Sequence, residues 1–177
     1  IRLVGDETEV ELGAADGSDI LNITQNNANE EALQVLGGVC SMYEGVRLYG
    51  CNPMVGAAMA SAVRISKSEA YRSKGTFHMY GGSIDSNVTD GYWGGGAVIS
   101  ETQTAFYMHG GVIENNITQG VSESWGGGVC VVDGGAFYME GGLIRNNTCE
   151  AGSHSTCGGG GVAVARPDLS SIHFGGP

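Results

Sequence analysis

Proline, basic residues and long apolar runs are all scarce in this chain of 177 residues. There are 3 prolines, and glycine does not recur at every third position, which excludes a collagen triple helix. No stretch approaches the roughly 20 apolar residues of a spanning helix, so no membrane insertion is expected within this segment. Lys and Arg number 8 against 19 Asp and Glu, a net charge of −11. Binding a phosphate backbone requires a cationic surface, so nucleic acid is not an expected partner. Anionic lipid is disfavoured for the same reason. A charged fraction of 15 % with a hydrophobic fraction of 41 % is too little charge and too much apolar surface for a disordered polyelectrolyte. The acidic excess reads as a solvated surface. C-x-x-C is absent, which removes a zinc ribbon and a thioredoxin-like centre, and neither a metal nor a cofactor is expected. The chain opens at Ile1 without a basic segment followed by an apolar one, so no secretory signal is expected within these residues.

Glycine is abundant instead, at 32 residues, and it sits in a repeat. Phe77-His78-Met79-Tyr80-Gly81-Gly82-Ser83-Ile84-Asp85-Ser86-Asn87 returns from Phe106 to Asn116 and again from Phe137 to Asn147. The shared pattern is F-x-M-x-G-G-x-I-x-x-N. A second block, G-G-G-[AV]-x-[IV], alternates with it at Gly94–Ile99, Gly126–Val131 and Gly159–Val164. Fainter copies lie on either side. Gly37-Gly38-Val39-Cys40 resembles the triplet block, and Val46-Arg47-Leu48-Tyr49-Gly50 follows in the place of F-x-M-x-G. Ile172-His173-Phe174-Gly175 opens a further copy.

Within each unit apolar residues alternate: Phe77 and Met79 share one side, His78 and Tyr80 the other. Period two means strand. A unit of about 30 residues with short strands and glycine corners cannot bury its apolar side alone, whereas stacked units can. The expected fold is all-β, a right-handed parallel β-helix of about five rungs in a single domain over 1–177. Residues 1–19 read as an entry segment, 20–75 as degenerate rungs and 76–177 as regular ones. One short helical insertion is expected over 29–36, with Asn29 as cap and Gly37 as stop.

These motifs resemble the repeats of bacterial surface β-helix proteins of the pectate-lyase-like group. They are also similar to the G-G-A-I and F-x-x-N repeats of polymorphic outer-membrane proteins, which are autotransported adhesins. Gly95-Gly96-Ala97-Val98 is the nearest match to the first motif; Ile84, Ile113 and Ile144 stand where the second has Phe. The resemblance implies an extracellular, cell-surface solenoid.

Stacking converts the repeat into columns. Phe77, Phe106 and Phe137, with Met79, Met108 and Met139, are expected inside. Asn87, Asn116 and Asn147 fall at one corner, where amides can hydrogen-bond in a ladder. Asn87, Asn116 and Asn146 also begin N-glycosylation sequons, as does Asn22; burial of the ladder favours the structural role. The outward positions give one row of Arg47, His78, Tyr107 and Tyr138 and a second of Tyr49, Tyr80, His109 and Glu140. Three readings stay open for His78, Tyr80, Tyr107, His109 and Tyr138: a flat aromatic platform for a glycan or protein, cross-strand pairs that merely stabilise the sheet, or a surface covered by another segment. Trp93, Trp125 and Cys157 are expected to wedge one corner. Five cysteines cannot all pair within one chain; Cys149 and Cys157 bracket a loop that a disulfide could close, or remain idle thiols.

The expected role is structural or adhesive, toward a host or environmental glycan or protein, and without catalysis. No paired carboxylates of the kind a glycosidase needs are apparent, because Arg145 follows Asp85 and Glu114 in their column. One alternative is a subunit that stacks on itself end to end, suggested by the lack of an obvious polar cap after Phe174. The other is a polysaccharide-binding or polysaccharide-degrading β-helix.

Overall fold

The computed structural model describes residues 1–25, 31–52, 61–68, 70, 72–120, 123–152, 156–165 and 171–175. The chain coils through about five turns, and the strands of successive turns pair in parallel. Three sheets run the length of the coil. The first holds Arg2–Leu3, Leu33–Val35, Val63–Ile65, Ala97–Ser100, Val129–Val132 and Val162–Ala165. The second holds Glu9–Leu12, Gly38–Met42, Ser73–Met79, Ala105–Met108, Ala136–Met139 and Ser171–Phe174. Lys67–Ser68 folds back against Ser73–Met79 as an antiparallel partner. The third sheet holds Leu21–Ile23, Val46–Tyr49, Ser83–Asp85, Val112–Glu114 and Leu143–Arg145. Two smaller sheets complete the later turns: Val88–Thr89, Ile117–Gly120 and Thr148–Ala151, then Glu123–Trp125 with Thr156–Gly158.

The interior follows from period two. Residues that alternate inward on one turn lie directly beneath the same residues of the next, about 4.8 Å away. Cys40, Phe77, Phe106, Phe137 and Ile172 form one column in strict register. The phenyl centroids are 5.0 and 5.1 Å apart, and all three rings are fully buried. Met42, Met79, Met108, Met139 and Phe174 make the neighbouring column. The first sheet contributes Val63, Ala97 and Val129 with Ile65, Ile99 and Val131; the third contributes Leu48, Ile84 and Ile113.

In the later turns the outward side of the first sheet is also buried, whereas Arg2 is exposed and Gln34 and Arg64 are half-exposed there. Val98, Cys130, Val132, Ala163 and Ala165 pack with Trp93, and Tyr92 and Trp125 lie against them. Trp93 bridges to Trp125, and Trp125 pairs with Gly158. Cys157 therefore does not continue the tryptophan row; it pairs with Ser124. The reason is steric: a Cβ at Gly158 would lie 2.4 Å from the Trp125 ring.

Two further expectations are corrected. No helix occurs over the described part of 29–36; residues 29 and 30 lie outside the described set, and Leu33–Val35 is a strand. Leu33 and Val35 point inward two residues apart, which a helix could not arrange. The faint upstream copy is also displaced by one sheet. Gly38–Met42 lies in the second sheet beside Gly75–Met79, and Val46–Tyr49 lies in the third beside Ser83–Asp85. The V-x-L alternation of Val46 and Leu48 satisfies either sheet, so pattern alone could not choose between them.

The glycine triplets mark close approaches between neighbouring backbones. At Gly128 an added Cβ would meet the Gly161 carbonyl at 2.6 Å and the Asn147 side-chain amide at 2.9 Å. At Gly161 the nearest atom is Ile144 Cγ2 at 3.7 Å. Gly128→Ala is therefore expected to destabilise the protein by about 1–3 kcal/mol, the range for overpacking a filled site. Gly161→Ala should stay within about 0.5 kcal/mol of the parent. Urea unfolding of the two variants checks the contrast, and equal midpoints would contradict it.

Candidate functional site

Among the described residues, three sets of aligned polar or aromatic side chains bear on the site, one inside and two outside. The inner one is the asparagine column. Asn116 Oδ1 accepts from Asn87 Nδ2 at 2.8 Å and from the Asn87 backbone N–H at 3.1 Å. Asn147 Oδ1 accepts from Asn116 Nδ2 at 2.9 Å and from its backbone N–H at 3.0 Å. Each Nδ2 also donates one turn back, to the carbonyls of Leu48, Ile84 and Ile113. Cys51 takes the place below Asn87, its N–H donating to Asn87 Oδ1 at 3.0 Å. Asn87 and Asn116 are fully buried, which leaves no room for a glycan on either sequon. The residues just before them, Ser86, Asn115 and Asn146, have φ of 55°, 55° and 53°. That left-handed step turns each asparagine inward, and Asn is among the few residues that tolerate it.

On the outside of the third sheet the charges compensate one another. Arg47 grips Asp85 through two contacts, of which Nε to Oδ2 is 2.7 Å, and also lies 4.3 Å from the Tyr49 ring centroid. Ser83 and Ser86 donate to Asp85 at 2.8 and 3.1 Å. Burial opposes ionisation of Asp85, but the Arg47, Ser83 and Ser86 bonds together outweigh it and lower its pKa. Glu114 pairs with Arg145 at 2.6 Å. Arg47 and Tyr49 thus belong here, not in the aromatic rows to which their spacing had assigned them. Asp85 is therefore not poised as a general acid, which requires a raised pKa.

The outside of the second sheet carries the aromatic side chains. His78, Tyr107, Tyr138 and His173 stack at 4.8, 4.7 and 4.7 Å between centroids, with planes within 8° of parallel. Beside them Tyr43, Tyr80 and His109 stack at 5.3 and 4.6 Å. Glu140 follows one turn on from His109, whose Nδ1 lies 2.7 Å from Glu140 Oε2. His78 Nδ1 lies 3.1 Å from His109 Nε2, which ties the two columns together. Burial lowers the His78 pKa, the neighbouring His109 lowers it further, and Glu140 acts in the opposite sense.

This geometry changes what the surface can do. Two coplanar six-membered rings cannot sit side by side at 4.7 Å, so the rings cover one another's faces in offset stacks. They turn their edges outward, as hydroxyls and imidazole nitrogens. It is a comb of hydrogen-bonding groups and not a flat platform on which a sugar ring could lie. His78, Tyr80, Tyr107, His109 and Tyr138 are all brought together here. Tyr43 and His173 extend the comb, and Ser41 stands where Arg47 was expected. The signal for Tyr43 was present: Met42-Tyr43 repeats Met79-Tyr80.

The cysteines offer no nucleophile at this surface. Cys149 and Cys157 are joined as a disulfide, with Cα atoms 6.1 Å apart. Burial pushes the Cys40 and Cys130 thiols up to about 12, where they stay protonated at any ordinary pH. Among the described residues no group of three or more His, Cys, Asp or Glu side chains is arranged to hold a metal ion. No protein-family model matches the chain, and neither a curated protein nor a solved structure matches it.

Asn116→Ala would orphan the buried Asn87 N–H and remove a second donor from the Ile84 carbonyl. At about 1–3 kcal/mol for an unsatisfied buried group, a loss of about 1–3 kcal/mol is expected in urea unfolding. A change under 1 kcal/mol would show that the column contributes little.

Proposed function

We propose that the protein is a right-handed, extracellular cell-surface β-solenoid with an adhesive role and no catalysis, engaging a glycan or protein through the His/Tyr comb of the second sheet. The observation that carries this reading is the comb itself. Its rings are already held by their neighbours, so little side-chain freedom remains to be lost when a partner binds. Tyrosine is also the residue type most suited to giving contact area and a hydroxyl together. The right-handed sense follows the strong preference of parallel strand crossovers. The surface-protein assignment rests on the repeat resemblance to autotransported adhesins and pectate-lyase-like surface proteins.

A purely structural role, in which stacking only stabilises the sheet, is separated by removing the hydroxyls and keeping the rings. Tyr107→Phe combined with Tyr138→Phe leaves both stacks intact. On an array of glycans and extracellular-matrix proteins, the wild type is expected to give a defined set of binders. The double variant should bind them at least tenfold more weakly, with an unchanged melting temperature. Unchanged binding, or no binder for the wild type, would remove the adhesive reading.

End-to-end self-assembly is the second reading, supported by the parallel pairing of successive turns, a pattern that a second copy could continue. Sedimentation that stays monomeric at every concentration would dismiss it. A polysaccharide-degrading activity has less support, because Asp85 and Glu114 are both committed to arginines. Release of unsaturated sugars from a pectin-like polymer would restore it.

A further inference from the structure

The hydrogen bond between His78 and His109 is the one link between the two ring columns that depends on where protons sit. Glu140 accepts from His109 Nδ1–H. In the neutral pair the lone pair of His109 Nε2 is therefore left to accept from His78 Nδ1–H, giving a directed chain from His78 through His109 to Glu140. One added proton can be accommodated, because the imidazolium of His109 still donates to Glu140 and can donate through Nε2 to His78 if His78 shifts its own proton to Nε2. A second cannot: with both rings charged, N–H would face N–H across 3.1 Å.

We infer that the His78–His109 pair is an acid-sensitive latch on this surface, closed while the pair holds at most one extra proton and opened by the second. The groups facing the latch come from four successive turns. Ser41 lies beside His78 on the preceding turn. Tyr80 stands in the second column of the same turn, and its ring stacks on both His78 and His109. Tyr107 stacks on His78 from the following turn, and Glu140 meets His109 from the turn beyond. Glu140 is the only acidic group among these and no Lys or Arg is present, so the second proton has no further carboxylate to compensate it.

The direction of the effect is fixed by linkage. A histidine whose folded pKa lies below its unfolded value binds more protons when unfolded. Its contribution to stability is therefore complete above about pH 6.5 and is lost as pH falls through the folded value. Asp85 is also acid-sensitive, but its loss begins only near the ordinary carboxylate range. The latch holds whichever partner occupies the comb, and its test needs no ligand.

The test compares the wild type with His78→Gln, whose amide can still donate to His109 Nε2 but does not titrate. The wild-type urea midpoint should fall between pH 7.5 and 5, and the variant should lose most of that fall. Parallel curves would overturn the inference. A second measurement needs no variant. In a histidine side-chain NMR titration of the folded wild type, one of the 4 histidines should titrate below the usual range, with a second resonance responding to the same step. Independent titrations near the usual value would equally overturn it.

Discussion

The parallel hydrogen-bonded step between neighbouring turns, about 4.8 Å, is the constraint from which the rest of this structure follows. Once each turn closes in register, every side chain has its own counterpart above and below it. A residue is then selected for compatibility with itself as much as for its environment. Phenylalanine and methionine meet that condition inside by close packing. Asparagine meets it at a buried corner because its amide donates upward and accepts from below.

Charges do not meet it, and the surface shows how the chain responds. A column of carboxylates would repel itself, so Asp85 is neutralised by Arg47 from the preceding turn and Glu114 by Arg145 from the following one. The His/Tyr comb is the aromatic solution to the same condition. Neutral rings stack without a charge penalty, and the one place where charge could accumulate, His78 against His109, is relieved by Glu140. Backbone crowding is handled by glycine at the triplets, while the left-handed steps at Ser86, Asn115 and Asn146 are made without it.

The regular turns were legible in the sequence because their columns are nearly identical. Phe77, Phe106 and Phe137 announce both the period and the inward side, and the same alignment places His78, Tyr107 and Tyr138 outside. The earlier turns were not, for a physical reason. A strand of four residues with alternating apolar positions fits any of the three sheets, and only the length of the intervening loop decides which. Val46–Tyr49 was consequently placed one sheet early, and Arg47 and Tyr49 with it. The segment around Leu33 and Val35 was misread as helical because its strand is only three residues long. The comb was foreseen as a set of residues, but its orientation was not: nothing in sequence spacing reports whether stacked rings offer faces or edges.

For function, the consequence is a surface built of hydrogen-bonding ring edges on a coil of parallel strands in register. All of it depends on equivalent residues lying directly above one another. NMR contacts between the backbones of Phe77, Phe106 and Phe137 test this most directly. The account predicts the cross-strand Hα-to-amide pattern of parallel neighbours, in register, between Phe77 and Phe106 and between Phe106 and Phe137. Close Hα-to-Hα contacts typical of antiparallel pairing, or no contact between these three residues, would contradict it.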